Sequence, residues 1–310
     1  MTRNSNQEAV TSTGVPRLPA EPGQLVIDRT PWAASPLVFT VRGDRLHPII
    51  SGNKWFKLRV WLVRAEQQGA RHLVSVGGPY SNHLHALAYA GYVMGLATTG
   101  WVRGPEPVTW SATLLDCQRW GMKLHFIDRE HYRQRESREF AAWACHSLEN
   151  ALFIPEGGWS PQAIDGSGAW WRLAGTDLDA LVCPVGSGTT LAGLVRTAPE
   201  STRVIGVPVY RDPDHYISLI EKLASVGVQP GSYTLWTDAA GKGFGRVTEK
   251  QTAFMADFEQ REGIELDPVY TGKTFMALQQ RLNDDPGLVE QRLGILHTGG
   301  LQGRRSKTGL

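Results

Sequence analysis

The stretch LDALVCPVGSGTTLAGLVRTA, residues 178–198, decides how the rest of the chain is read. A β-branched apolar run ends at Val185, a turn of Gly186, Ser187, Gly188, Thr189 and Thr190 follows, and helical spacing then takes over. A continuously apolar strand is one buried on both faces, as in a parallel sheet covered by helices. The glycines let several backbone N–H groups point into one turn, the hydroxyls add donors, and a helix N-terminus favours an anion. Two nucleotide loops are excluded on spacing. GxxxxGK[ST] lacks its lysine, and GxGxxG fails because Leu191 holds the place of the third glycine while the next glycine is Gly193. A compact monoester phosphate and a purely structural tight turn are the readings left.

The same alternation recurs outward from this turn. RHLVSVGG (71–78) reads as a strand and NHLHALAYAGYVMG (82–95) as a helix. LATTGWVRG (96–104) and KLHFIDRE (123–130) read as strands, with SATLLDCQRWG (111–121) a helix between them, and TRVIGVPVY (202–210) is a further strand. The fold class expected is α/β, with two lobes of open parallel sheets. The charged stretch 128–150 separates the two groups, and mixed signs running into Phe140, Ala141, Trp143 and Ala144 predict one solvated helix there. Open parallel sheets bind ligands at the carboxyl ends of their strands, so chemistry is expected in the turns.

Two more turns qualify. VGGPYSNHLHA (76–86) closes a strand on a glycine pair and sets Ser81 and Asn82 at a helix start, as caps or as ligand contacts. SGNKWFKL (51–58) leads from a strand-like stretch into a helix on which Trp55, Leu58, Trp61, Leu62 and Ala65 repeat at helical spacing. Lys57 is expected on a solvated face. Lys54 falls at the helix mouth, where the dipole disfavours a cation. In a chain with a monoester-phosphate turn, an amine of lowered pKa suggests a Schiff base to an aldehyde.

Composition narrows the partners. A net charge of +2 over 310 residues gives no reason to expect nucleic acid or an anionic membrane. Cys117, Cys145 and Cys183 form no CxxC pair, and His83 and His85 point to different sides of a helix, so neither a disulfide framework nor a protein-built metal centre is expected. The polar N-terminus lacks the apolar core of a secretory signal, which predicts a cytoplasmic protein with a loose tail over 1–22.

Five motifs in order, GNKWFKL (52–58), VGGPYSNH (76–83), GSGTTLAG (186–193), DPVYTGK (267–273) and HTGG (297–300), resemble the fold type II pyridoxal-phosphate enzymes, the tryptophan synthase β-like group. Within that group they are most similar to the subgroup of 1-aminocyclopropane-1-carboxylate (ACC) deaminase and D-cysteine desulfhydrase. The resemblance implies that Lys54 binds the aldehyde of pyridoxal phosphate and that Asn82 meets its ring hydroxyl. It places Gly186, Ser187, Gly188, Thr189 and Thr190 on the phosphate and Thr271 opposite the pyridine nitrogen. Ser81 and Tyr270 then face the substrate as catalytic groups, in a pocket to which Asn82, His83 and Trp159 also contribute. A larger cofactor-binding lobe from residues 1–54 and 155–310, a smaller lobe from 55–154 and a homodimer are implied as well.

Two departures bear on the reaction. Thr271 stands where ACC deaminase has a glutamate, which weakens the ring as an electron sink. Phe244 stands where that enzyme has a second tyrosine. The expectation is therefore β-elimination from D-cysteine or a related small D-amino acid, with ACC deaminase as the alternative and a pyridoxal-phosphate binder without turnover as the competing class. Asp165 and Glu156 are expected as caps or solvated groups, His297 near the ring edge or merely buried, and GRRSKTGL (303–310) as a free basic end.

Overall fold

The computed structural model describes residues 17–20, 28–175 and 177–306. In chain order the elements are β1 (Arg29–Trp32), β2 (Ser35–Val41), α1 (Asn53–Gln67), β3 (His72–Gly77), α2 (Asn82–Met94), β4 (Ala97–Arg103), α3 (Ala112–Arg119) and β5 (Lys123–Ile127). There follow α4 (Arg129–Arg133), α5 (Arg138–Ala144), β6 (Ala151–Ile154), α6 (Pro161–Ser167), α7 (Trp170–Ala174), β7 (Ala180–Val185), α8 (Thr189–Arg196) and β8 (Arg203–Pro208). The chain continues through α9 (Pro213–Ala224), β9 (Thr234–Leu235), α10 (Glu249–Glu262), α11 (Thr271–Asp284), α12 (Pro286–Val289) and β10 (Leu293–Leu296), and a 3-10 segment spans Leu301–Ser306.

The strands form two sheets. One has the order β5-β4-β3-β6 and is parallel throughout; the other runs β1-β2-β10-β7-β8-β9 and is parallel except for the β1–β2 hairpin. All six residues of β7 are buried. Leu181, Cys183 and Val185 enter one apolar core with α7 and α8, whereas Ala180 and Val182 enter a second with Phe258 of α10 and Phe275 of α11. That is the period-two alternation of a strand with helices on both faces. The first core also takes Phe56 and Leu58 of α1 and Leu84 and Leu87 of α2, so it binds the two sheets together.

Several expectations need correction. The stretch before α1 is no strand: β2 ends at Val41, and residues 42–52 carry a 3-10 turn at Gly43–Arg45 and bends. Residues 128–150 form two short helices rather than one. Asp128 caps α4, and Ser137 restarts the chain as α5 by accepting the Phe140 N–H at 3.0 Å. Phe140 and Ala144 are buried as read, but Trp143 is 42% exposed. The expected tail lies mostly outside the described residues, yet two carbonyls of its described part are tied down. Arg17 O accepts from His47 Nε2 at 2.6 Å, and Ala20 O accepts from Trp55 Nε1 at 2.8 Å. At the other end Arg304 and Arg305 are paired, not free, with Glu259 and Asp116. No helix among the described residues is long and apolar enough to cross a membrane.

Candidate functional site

Three turns are joined to one another: Asn53 of the first reaches Thr190 of the second, and the 297–300 loop packs against Gly52 of the first and Asn82 of the third. The first is the mouth of α1. Gly52 precedes it at φ +59, a left-handed backbone, and a Cβ there would stand 2.0 Å from the carbonyl oxygen of Thr298. Only glycine lets the 297–300 loop pack so closely on the helix start. Asn53 then bridges two parts of the site: its Oδ1 accepts from Lys54 Nζ at 3.1 Å, and its Nδ2 reaches Thr190 Oγ1 at 3.4 Å. Lys54 Nζ also lies 5.9 Å from the centroid of the Tyr270 ring. Burial disfavours its charged form and outweighs the attraction of Asp267, so its pKa falls to about 8.

The second turn joins β7 to α8. Gly188 is the N-cap residue at φ +83, and Ser187 Oγ and Thr189 Oγ1 lie 3.0 Å apart. Thr189 and Thr190 are buried. A Cβ on Gly186 would come within 3.1 Å of Tyr270 Cε1, which places the phenol directly over this turn. The third turn leads from β3 into α2. Ser81 caps the helix, its Oγ accepting the Leu84 N–H at 3.2 Å. Asn82 follows, with its Oδ1 accepting from Gln302 Nε2 at 2.5 Å.

Not every expected residue stands beside Lys54. His83 turns inward from α2: its Nε2 is 3.0 Å from Ser75 Oγ, which itself donates to Ile154 O at 2.7 Å. Burial first, then the charges of Lys54 and Lys57, push its pKa down to about 3, so the ring is neutral. Trp159 packs over the second turn, 3.7 Å from where a Gly188 Cβ would be, with Lys222 Nζ 4.5 Å from its ring centroid. Tyr270 and Thr271 start α11. Burial, then Asp267, raises the phenol's pKa, which keeps it protonated. The Thr271 hydroxyl is tied to Asp267, accepting its backbone N–H at 2.7 Å and donating to Oδ1 at 3.0 Å. His297 is fully buried and bonds Glu265 O at 2.6 Å. Glu156 accepts from Arg135 at 2.6 Å and from the Tyr132 hydroxyl, and Asp165 pairs with Arg196.

Lys57 overturns its expectation. It is buried, 4% exposed, because α1 is covered on more than one side: residues 55–58 are all buried. Among the described residues it has no hydrogen-bond or ion-pair partner, and desolvation by burial, then the charge of Lys54, holds its pKa well below the usual range. A Cβ on Gly158 would stand 3.3 Å from Lys57 Cβ, and one on Gly157 would stand 3.1 Å from Ser187 Oγ, so Lys57 and the second turn flank the same glycine pair. A buried lysine lacking a counterion beside a loop of donors fits an anion, whose charge would favour its protonated form.

Asp267 was not read from the sequence either. It is buried, and its carboxylate accepts the backbone N–H groups of Val269, Tyr270 and Thr271 at 2.6–3.1 Å. A carboxylate just before a helix start was the available signal. Together the donor set comprises one reactive amine, an unpaired buried lysine, a turn of hydroxyls and glycines, and an amide at a second helix mouth. It fits a group bearing both an aldehyde and a monoester phosphate.

Comparison with known proteins agrees with that donor set. Residues 27–299 match the family model described as pyridoxal-phosphate dependent enzyme. A Pyrococcus horikoshii protein named provisionally as a 1-aminocyclopropane-1-carboxylate deaminase is 30% identical over 292 residues, covering 86% of this chain and 85% of that one. The mitochondrial bifunctional D-cysteine desulfhydrase/1-aminocyclopropane-1-carboxylate deaminase of Arabidopsis thaliana is 27% identical, covering 83% and 71%. A crystal structure described as an ACC deaminase homologue superimposes with a TM-score of 0.80 at 26% identity, over 93% of this chain and 94% of that one. The chain belongs to the pyridoxal-phosphate-dependent enzymes, in the company of ACC deaminases and D-cysteine desulfhydrases.

Proposed function

We propose that this enzyme removes the β-substituent of a small D-amino acid, D-cysteine in the first instance, consuming one water and releasing the 2-oxo acid, ammonia and sulfide. The observation that carries this reading is the desolvated amine of Lys54, at a pKa of about 8, beneath a phenol that stays protonated. That amine supplies a base near neutral pH, the phenol offers the substrate a neutral hydrogen bond, and a thiolate departs without needing an acid.

Pyridoxal phosphate, when bound, supplies an electron-poor ring that takes up the charge left as the α-proton departs. Lys54 would hold its aldehyde, and its free amine would accept the α-proton of the substrate. The turn from Gly186 to Thr190 and the Lys57 ammonium hold the phosphate, and Asn53 ties that turn to Lys54. Ser81 has its oxygen engaged by the Leu84 N–H, which leaves its hydroxyl proton for the substrate carboxylate. Asn82 donates to the ring hydroxyl. Thr271, already engaged with Asp267, offers the ring nitrogen an uncharged oxygen. A good leaving group tolerates that weaker sink. His83 and Trp159 act as walls, and Trp159 with Lys222 keeps water from the phosphate turn. The same reading takes residues 55–154 as the smaller lobe of a cytoplasmic homodimer.

ACC deamination is the second reading, favoured by the names of the relatives. Against it stands Thr271, uncharged where ACC deaminase has a glutamate; Phe244, 6.1 Å from the Tyr270 ring and without a phenol, departs from D-cysteine desulfhydrase as well and favours neither reading. Purified enzyme given D-cysteine, L-cysteine and ACC in parallel separates the readings. Equimolar sulfide and pyruvate from D-cysteine is the expected result. Turnover of ACC to 2-oxobutanoate without sulfide release from D-cysteine supports the second reading, and no product from any of the three leaves a binder.

A further inference from the structure

An amide side chain has two ends of opposite character, and which end faces a ligand decides what it can recognise. Asn82 stands at the mouth of α2 with its oxygen taken by Gln302, whose Nε2 donates at 2.5 Å. Only its NH2 group is left to donate. Gly300 keeps room for that group, since a Cβ there would stand 2.6 Å from Asn82 Nδ2. Gln302 comes from a segment 220 positions away in sequence, and that segment is fixed from both sides. Arg305 pairs with Asp116 of α3, which also accepts from His85 Nε2 at 3.0 Å. Arg304 bonds Glu259 of α10 at 2.8 Å and the Leu266 carbonyl at 3.3 Å. Arg304 and Arg305, directly after it, tie the segment that carries Gln302 to both α3 and α10, so its contact with Asn82 comes from an anchored segment.

We infer that Gln302 is a positioning residue: it locks the Asn82 amide in the orientation that turns a donor, not an acceptor, toward the ring hydroxyl of bound pyridoxal phosphate. The inference rests on the cofactor reading and on the contact of Asn82 with that hydroxyl. A donor there favours the ionised ring oxygen and so lowers the pH at which it ionises. Gln302→Glu presents an acceptor where a donor stood. The Asn82 amide must then turn its NH2 to the carboxylate and its oxygen to the ring. Gln302→Leu only releases the lock.

The experiment is a pH titration of the visible absorbance of holoenzyme for wild type, Gln302→Glu, Gln302→Leu, Asn82→Ala and the Asn82→Ala/Gln302→Glu double variant, with melting temperatures to confirm folding. The expected result is a midpoint raised by about one pH unit in Gln302→Glu, the worth of one charge-assisted hydrogen bond. A smaller rise is expected in Gln302→Leu, with no further effect of Gln302→Glu once Asn82 is alanine. If Asn82→Ala shifts the midpoint and neither Gln302 variant does, the inference is overturned while the cofactor site stands. If Asn82→Ala also titrates like wild type, the contact of Asn82 with the ring falls, and Gln302 with it. The absence of any visible band in wild type overturns the cofactor reading itself.

Discussion

Lys57 is the residue whose physics most constrains the account. A lysine buried without a partner destabilises the fold unless something is bound to compensate it. Lys57→Met keeps the stem and removes the charge. The cofactor-free protein should gain on the order of 1 kcal/mol or more in stability, since a buried amine without a partner, whose protonation burial opposes, is gone. Cofactor affinity should drop roughly tenfold or more, because a hydrogen bond to a charged group contributes about 1.5–3 kcal/mol. Thermal melts of cofactor-free protein and a cofactor titration read the two effects, and a destabilised cofactor-free variant with unchanged affinity would show that Lys57 serves packing alone. Sequence reasoning set this residue on a solvated face for an identifiable reason. Helical spacing marks the face where large apolar residues recur, and Lys57 sits beside Phe56 and Leu58 on a helix covered on more than one side. A polar residue with no partner among the described residues leaves no pattern. The place of Lys54 at a helix mouth was legible because Gly52 and Asn53 mark it, and a cation there is out of keeping with the dipole.

At the scale of elements, α11 shows how a helix start is used for chemistry while its next turn holds structure. Tyr270 and Thr271 open it toward the site, and Lys273, buried and 1% exposed, lies just behind. Its ammonium donates to the carbonyls of Val209 at 3.2 Å, Ala240 at 2.9 Å and Gly243 at 2.5 Å. This one side chain gathers the end of β8 and the 240–243 turn, next to Phe244, around the helix that carries Tyr270. Lys273→Met strands three carbonyls, each costing about 1–3 kcal/mol when buried without a donor. The variant should lose about 3 kcal/mol or more in a denaturant melt. A loss below about 1 kcal/mol would mean that water replaces the ammonium and that the gathering role is wrong. The strand–turn–helix units around 71–104 and 178–210 were legible because burial on both faces writes long apolar runs, and glycines punctuate them. The hairpin of β1 and β2 and the two-residue strand β9 were not: one is an edge and the other too short to carry a period.

At the scale of the molecule, the candidate site draws on the turns that follow β3 and β7 and on the mouth of α1, and a common core of α1, α2, α7 and α8 holds these elements together. Contacts such as Asn53 with Thr190 or Asn82 with Gln302 join residues 137 and 220 positions apart. No local spacing reports them; they follow only once the sheets are assembled. The same assembly buries three lysines, and Lys54, Lys57 and Lys273 all have depressed pKa values. Depression alone therefore does not choose among them. Geometry separates them: Lys273 is saturated by carbonyls and Lys57 flanks the glycine pair beside the Gly186–Thr190 turn, whereas Lys54 lies under the Tyr270 ring. Borohydride reduction of holoenzyme followed by peptide mass mapping asks which amine holds the aldehyde. The account predicts the pyridoxyl mass on Lys54. When cofactor-stripped protein is reloaded before reduction, the rate of labelling should climb as the amine loses its proton and level off above about pH 8, instead of climbing on toward 10.5. The mass on Lys57 or Lys273, or on no lysine at all, would contradict it.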